Sequence, residues 1–347
     1  NKAGIPEGEV SGEGETYFLD HRILDSYRAV NRLLKSGADV GWSEKTFTAA
    51  GQPFPPGTVV VSGTDLDKTM QSLAEEFHLV VTKGASPPDV LSLSPLRLGL
   101  YQSWTANMDE GWTRWIFDHW EFPYDTLHDE DMRAGGLKAE YDLIVLTNLS
   151  SRALLEGHPE GRVPPENAGG LGEKGLEALR RFVSEGGTLI TLNASCQFVL
   201  DHFDVALKNI SGGFDPSEFF CPSALLKVEM DLTHPVAWGM DDWASVVFYG
   251  SPVLEPLENK GTSGSGPDSD TGQLKVIARF PDGNPFMSGR IIGESVFHKR
   301  PALIEAPYGK GRIFLFGFRP QNRAQPHGTF MLFFNALYYG SALANSN

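Results

Sequence analysis

Two residues of this chain have the types that a covalent catalyst needs. Cys196 follows the apolar run Thr188–Leu192 and the string Asn193-Ala194-Ser195. That order puts a thiol between a strand and a helix, where the helix N-terminus would lower its pKa. His327, placed after the apolar run Arg312–Phe318, is the available base. Together they could attack an amide or ester carbonyl, with Cys196 as nucleophile and His327 taking the proton. The competing reading makes Cys196 a small buried thiol packed at a helix start, and His327 a helix-opening residue. No glycine flanks Cys196, although a strained nucleophile turn normally needs one.

A second set is suited to binding. Gln102, Trp104, Asn107, Asp109 and Glu110 follow the apolar run Leu96–Tyr101, and Arg319 follows Arg312–Phe318, with His327 further along. In an α/β sheet, loops after neighbouring strands meet at the carboxyl edge, where ligands are held. Trp104 and Trp112 would supply apolar platforms, and Asp109, Glu110 and Arg319 fixed charge. The alternative is an Arg–carboxylate pair and a helix cap that only lock the two loops together.

Three further strings carry less. Gly170-Leu171-Gly172-Glu173-Lys174-Gly175 spells a dinucleotide-type GxGxxG, but it follows a Pro-containing loop rather than a strand, and Glu173 would repel a pyrophosphate. His128-Asp129-Glu130-Asp131 clusters oxygen ligands without a calcium-loop pattern, which fits a solvated helix cap better than a cation site. The low-complexity stretch Gly261–Gly272 reads as a loop.

The elements that must position these residues alternate. Leu24–Lys35 has helical apolar spacing and stops at Gly37, Gly57–Val61 reads as a strand, a helix runs to about Phe77, and His78–Thr82 is another strand. Ala85–Pro95, with three prolines, is the expected linker. Beyond it come strand Leu96–Tyr101, a helix over about Asp109–Trp120, a strand Tyr124–His128 and the buried strand Tyr141–Thr147. A loop Asn148–Gly170 leads to helix Glu173–Glu185, strand Thr188–Leu192 and a helix Ala194–Phe203. Shorter β-like segments follow (Leu225–Asp231, Ser245–Tyr249, Leu274–Phe280, Ala302–Glu305), then a hairpin at Tyr308–Gly311 and a closing helix Gly328–Tyr339. The expected fold is α/β: a doubly wound, mostly parallel sheet of amidotransferase or flavodoxin type over 95–347, with a small N-terminal α/β unit over 1–94 and extra β segments.

Composition narrows the function classes. The 347 residues carry a formal charge of −15 with no basic stripe, which argues against a nucleic-acid partner. No apolar run is long enough for a membrane span. Two cysteines are too few for a disulfide scaffold. The chain starts at Asn1 with no signal-like stretch, so a processed protein or fragment is expected.

The strings YQSWTANMDEGWTRW, HPVAWGM, GNPFMSGRIIGE and YGKGRIFLFGFRPQNRAQPHGTF resemble the C-terminal, non-peptidase region of bacterial M14-family zinc carboxypeptidase-like proteins. The resemblance implies a class I glutamine amidotransferase-like domain, a secreted or periplasmic location, and an upstream peptidase domain as partner. It also implies zinc bound only in that upstream domain, by an HxxE pair and a distant His. No His here has Glu three residues on, so no zinc ligand transfers to this chain and no cofactor is expected in it. The amidotransferase string GxCxGxQ is also missing around Cys196. The first expectation is therefore a non-catalytic accessory region that positions the peptidase or holds peptide or cell-wall saccharide. A Cys196–His327 amidase and a small-ligand binding module are the alternatives.

Overall fold

A computed structural model describes residues 7–257 and 273–344. The expected Gly261–Gly272 loop lies outside the described residues. Contacts divide the chain into two units. The first takes residues up to Pro95 with Phe117–Pro123 and Trp238–Met240, and the second takes the remainder.

The first unit contains β1 (Glu9–Gly12), β2 (Thr16–Leu19), α1 (Asp25–Ser36), β3 (Asp39–Ser43), β4 (Phe47–Ala49), β5 (Gln52–Phe54), β6 (Val59–Ser62), α2 (Asp67–Phe77), β7 (Val80–Gly84) and β8 (Val90–Leu93). Six of these strands form one sheet, in the order β1-β7-β2-β6-β3-β8. Tyr27, Val30, Leu33 and Leu34 bury one face of α1, which stops where Gly37 turns left-handed at φ 83°. The Ala85–Pro95 segment is not simply a linker. Its Val-Leu-Ser-Leu stretch pairs antiparallel with β3 as an edge strand, flanked by prolines that such an edge tolerates.

The second unit begins with β9 (Leu98–Tyr101), α3 (Met108–His119, of which residues 108–116 fall in this unit), β10 (Asp125–Leu127), α4 (Asp129–Ala134), α5 (Leu137–Glu140), β11 (Leu143–Leu146), α6 (Ser151–Glu156), α7 (Gly172–Ser184), β12 (Thr188–Leu192) and α8 (Cys196–His202). It continues with β13 (Leu207–Asn209), β14 (Phe220–Met230), β15 (Trp243–Phe248), β16 (Leu254–Pro256), β17 (Lys275–Arg279), β18 (Phe286–Ile292), β19 (Pro301–Tyr308), β20 (Gly311–Phe316) and α9 (His327–Ala344).

The main sheet has ten strands, ordered β10-β9-β11-β12-β20-β19-β17-β14-β15, with β18 also on β14. From β10 to β20 the pairing is parallel, and from β19 onward it is antiparallel. The chain is thus α/β, but the sheet is mixed rather than mostly parallel. The short β segments read as extras extend the same sheet, because the Tyr308–Gly311 hairpin reverses direction beside β20.

Burial explains the parallel half. Leu143–Leu146 and Thr188–Leu192 are buried at every position, as a strand covered on both faces requires. Ile144 and Leu146 join Leu176, Leu179 and Phe182 of α7 in one core. On the opposite face α9 packs so closely that a Cβ on Gly340 would meet Leu143 and Thr188 side chains at under 3.0 Å. Helix α9 is buried almost all round, which is why its sequence shows no polar stripe. The expected loop Asn148–Gly170 contains α6, capped by the Ser150 side chain. Its end packs on α6 through Gly157 and Gly170, where backbone meets backbone and a side chain would clash.

Candidate functional site at the carboxyl edge of the parallel strands

The C-terminal ends of β9, β11, β12 and β20 all point to one edge of the second unit, and five polar residues follow them directly or within a short loop. Asn107 and Asp109 come after β9, Asn148 after β11, Asn193 after β12, and Arg319 after β20. Asn107 Oδ1 accepts the Asp109 N–H at 2.8 Å and so caps α3, while its Nδ2 donates to Asn148 O at 2.8 Å. Arg319 Nη1 lies 3.0 Å from Asp109 Oδ1 and 2.9 Å from Oδ2. Arg319 Nε donates to Tyr249 O at 3.2 Å, and its guanidinium rests 4.6 Å from the Tyr249 ring centre. Burial pushes the Asp109 carboxyl above its ordinary value, while the positive charges of Arg319 and Arg323 pull it back.

Asn193 stands in the left-handed region at φ 59°, immediately after β12. In α/β-hydrolases a strained strand-to-helix turn of this kind carries the nucleophile. Here the turn carries an amide whose hydrogen-bonding capacity is taken up. Its Nδ2 donates to Asn148 Oδ1 at 2.6 Å and to Tyr249 O and Gly250 O at 3.3 Å, and its Oδ1 accepts from Ser251 Oγ. Asn148, Asn193, Tyr249 and Ser251 were not legible as site residues. Only the Asn after a buried strand, in Leu-Thr-Asn and Thr-Leu-Asn, could have signalled two of them.

Cys196 is three residues beyond the turn, opening α8 with its side chain in the core. It is fully buried, with Sγ 3.3 Å from Phe316 O and 3.4 Å from Thr191 Oγ1. Burial pushes its pKa up to about 12, outweighing the helix terminus that the sequence suggested would lower it. No imidazole is among its described hydrogen-bond partners. His327 opens α9 on the surface, its ring stacked on Phe330 at 4.9 Å.

The other edge residues separate. Glu110 turns along α3 to Arg114, one helical turn away. Gln102 and Trp104 line a neighbouring cleft of about 530 Å³ with His128, Glu130, Asp131 and Asn167. There the His128 N–H donates to Asp131 Oδ2 at 2.8 Å, so the acidic string does cap a helix. A second cleft of about 450 Å³, lined by Ala194, Gln197, Asn209, Phe219, Cys221 and Ser251, opens beside the Asn193 turn. Among the described residues no three His, Cys, Asp or Glu side chains converge as a metal-binding group. No described helix is long and apolar enough to cross a membrane.

The second unit thus defines an α/β protein with a polar carboxyl-edge network. No family model and no curated protein matches the chain. Among solved structures it is similar to a cytoplasmic protein from Salmonella typhimurium (16% identity, TM-score 0.42, 70% of this chain and 97% of that one). It is also similar to a ThuA-like protein from Bacteroides uniformis (14%, TM-score 0.40, 70% and 90%). A third likeness is to a β-galactosidase from Bacillus circulans (10%, TM-score 0.39, 81% and 34%).

Proposed function

We propose that this chain is a non-catalytic, amidotransferase-like accessory region of a secreted or periplasmic M14-like zinc carboxypeptidase. In this reading the zinc chemistry belongs to an upstream peptidase domain, and the present chain positions that domain or holds its peptide or saccharide substrate. The observation that carries the non-catalytic part is the turn after β12. Asn193 fills the nucleophile position with its amide already bonded to Asn148, Ser251 and two carbonyls. The nearest thiol, Cys196, faces the core instead. The four resembling strings support the family part: two of them, around Asp109 and around Arg319, meet in one buried ion pair.

The test is an assay of the purified chain on amide, ester and dipeptide substrates, beside thermal denaturation with candidate ligands. The expected result is no turnover above buffer and a rise in Tm with a ligand at the carboxyl edge. Turnover that Cys196→Ala abolishes would overturn the reading.

A further inference from the structure

We propose that the cleft beside the carboxyl ends of β9 and β10 binds a primary ammonium group. This assignment rests on the reading that the carboxyl edge holds a ligand, and it names that ligand's chemistry. At about 530 Å³ the cleft is of small-molecule size. Its lining includes the Trp104 indole, the Glu130 and Asp131 carboxylates, the Gln102 and Asn167 amides and the His128 imidazole, and no Lys or Arg. A phosphate or carboxylate ligand would therefore find like charge and no cation to offset it, on a chain already at −15.

The acidic residues have a structural task, since Asp131 caps α4 and acidic side chains favour a helix N-terminus. That task accounts for neither the indole nor the amides. Trp104 remains 50% exposed at the cleft. An indole face attracts a cation within about 6 Å of the ring, and carboxylates at the same site add their own opposite charge. The turn carrying it is pinned, with Thr105 Oγ1 2.6 Å from His158 Nε2 and Ser103 Oγ donating to Thr105 O at 2.9 Å. His128 Nδ1, 3.2 Å from Gln102 O, ties the opposite wall to the same strand end. The platform is thus held before a ligand arrives, which lowers the ordering cost of binding. The two amides add donors and acceptors for the hydroxyls or carbonyl next to the amine.

An ammonium group can come from an amino sugar or from a peptide amine, and titration calorimetry of the full chain at low salt separates them. Glucosamine, N-acetylglucosamine and lysinamide are the probes. Glucosamine binding without lysinamide assigns an amino sugar, and lysinamide binding without glucosamine assigns a peptide amine. In either case N-acetylglucosamine is silent, and Trp104→Ala weakens binding by about tenfold. Glu130→Gln weakens it by a similar factor, with near-UV circular dichroism confirming that both variants fold. The proposal is overturned if neither ammonium probe binds, or if binding ignores both substitutions. It is also overturned if N-acetylglucosamine binds as well as glucosamine. That last outcome, if Trp104-dependent, leaves the ligand-holding reading standing, whereas Cys196-dependent turnover removes that reading itself.

Discussion

The Arg319 guanidinium lies 2.9 Å from the Asp109 carboxylate, although the two residues stand 210 positions apart. Both are buried, so the pair ties the loop after β9 to the loop after β20 in a medium where neither charge can turn to water. A buried pair of this kind is costly to break from one side, because the remaining charge is left uncompensated. Arg319→Ala is expected to lower stability by about 3–5 kcal/mol in chemical denaturation. Arg319→Lys keeps a charge but not the second donor that reaches Tyr249 O, and should fall between. A loss below about 1 kcal/mol, the level of an exposed pair, would show that the pair does not hold the two loops.

Asn193 gives a second test of the same edge. Asn193→Ala keeps the left-handed φ of 59° but deprives Asn148 and Ser251 of their partner. The expected cost is about 3 kcal/mol, from buried polar atoms left unpaired. Asn193→Gly loses the same bonds while relieving the backbone, and should recover about 1 kcal/mol of that in the same experiment.

Alkylation of Cys196 should be slow and should require unfolding. Its pKa is pushed up to about 12 by burial, so the thiolate is scarce at neutral pH and the sulfur is not reachable. Cys221, pushed up to about 11 by burial, lines the second cleft and should label first. Mass spectrometry across pH 6–9 reads both. Rapid native labelling of Cys196 would contradict its placement.

Glu305 of β19 should make the fold acid-sensitive. Burial raises its pKa, but the His234 hydrogen bond at 2.7 Å and the charges of Arg312 and Lys275 outweigh that and hold the carboxyl below its ordinary 4.5. The folded chain therefore binds this proton more weakly than the unfolded chain. Its contribution is complete above about pH 4.5 and is lost as pH falls through the folded value. Glu305→Gln should lower stability at pH 7 by about 3 kcal/mol and flatten the acid limb of the stability–pH curve.

Local pattern made the parallel half legible, because a strand buried on both faces and an amphipathic crossover helix each leave a periodicity in the chain. Tyr141–Thr147, Thr188–Leu192 and Glu173–Glu185 are such segments, and the strands and helix observed fall within a residue or two of them. Strand β8 and helix α6 were hidden inside loops, because each is short and interrupted by proline, glycine or serine signals. Of the edge residues, Asp109 and Arg319 could be set at the ends of two strands. Which neighbours they met depended on strand order, which no local pattern encodes.

What the sequence by itself determined, then, is the succession of strands and helices and the two loops that carry Asp109 and Arg319, since backbone periodicity and turn residues act over a few positions. Only the tertiary structure decided the rest. It put Asn193 rather than Cys196 at the turn after β12, because helix phase aims the side chain three residues on into the core. It also merged the late β segments into one mixed sheet, since pairing is set by which strand edges are left to satisfy hydrogen bonds once the parallel half is assembled.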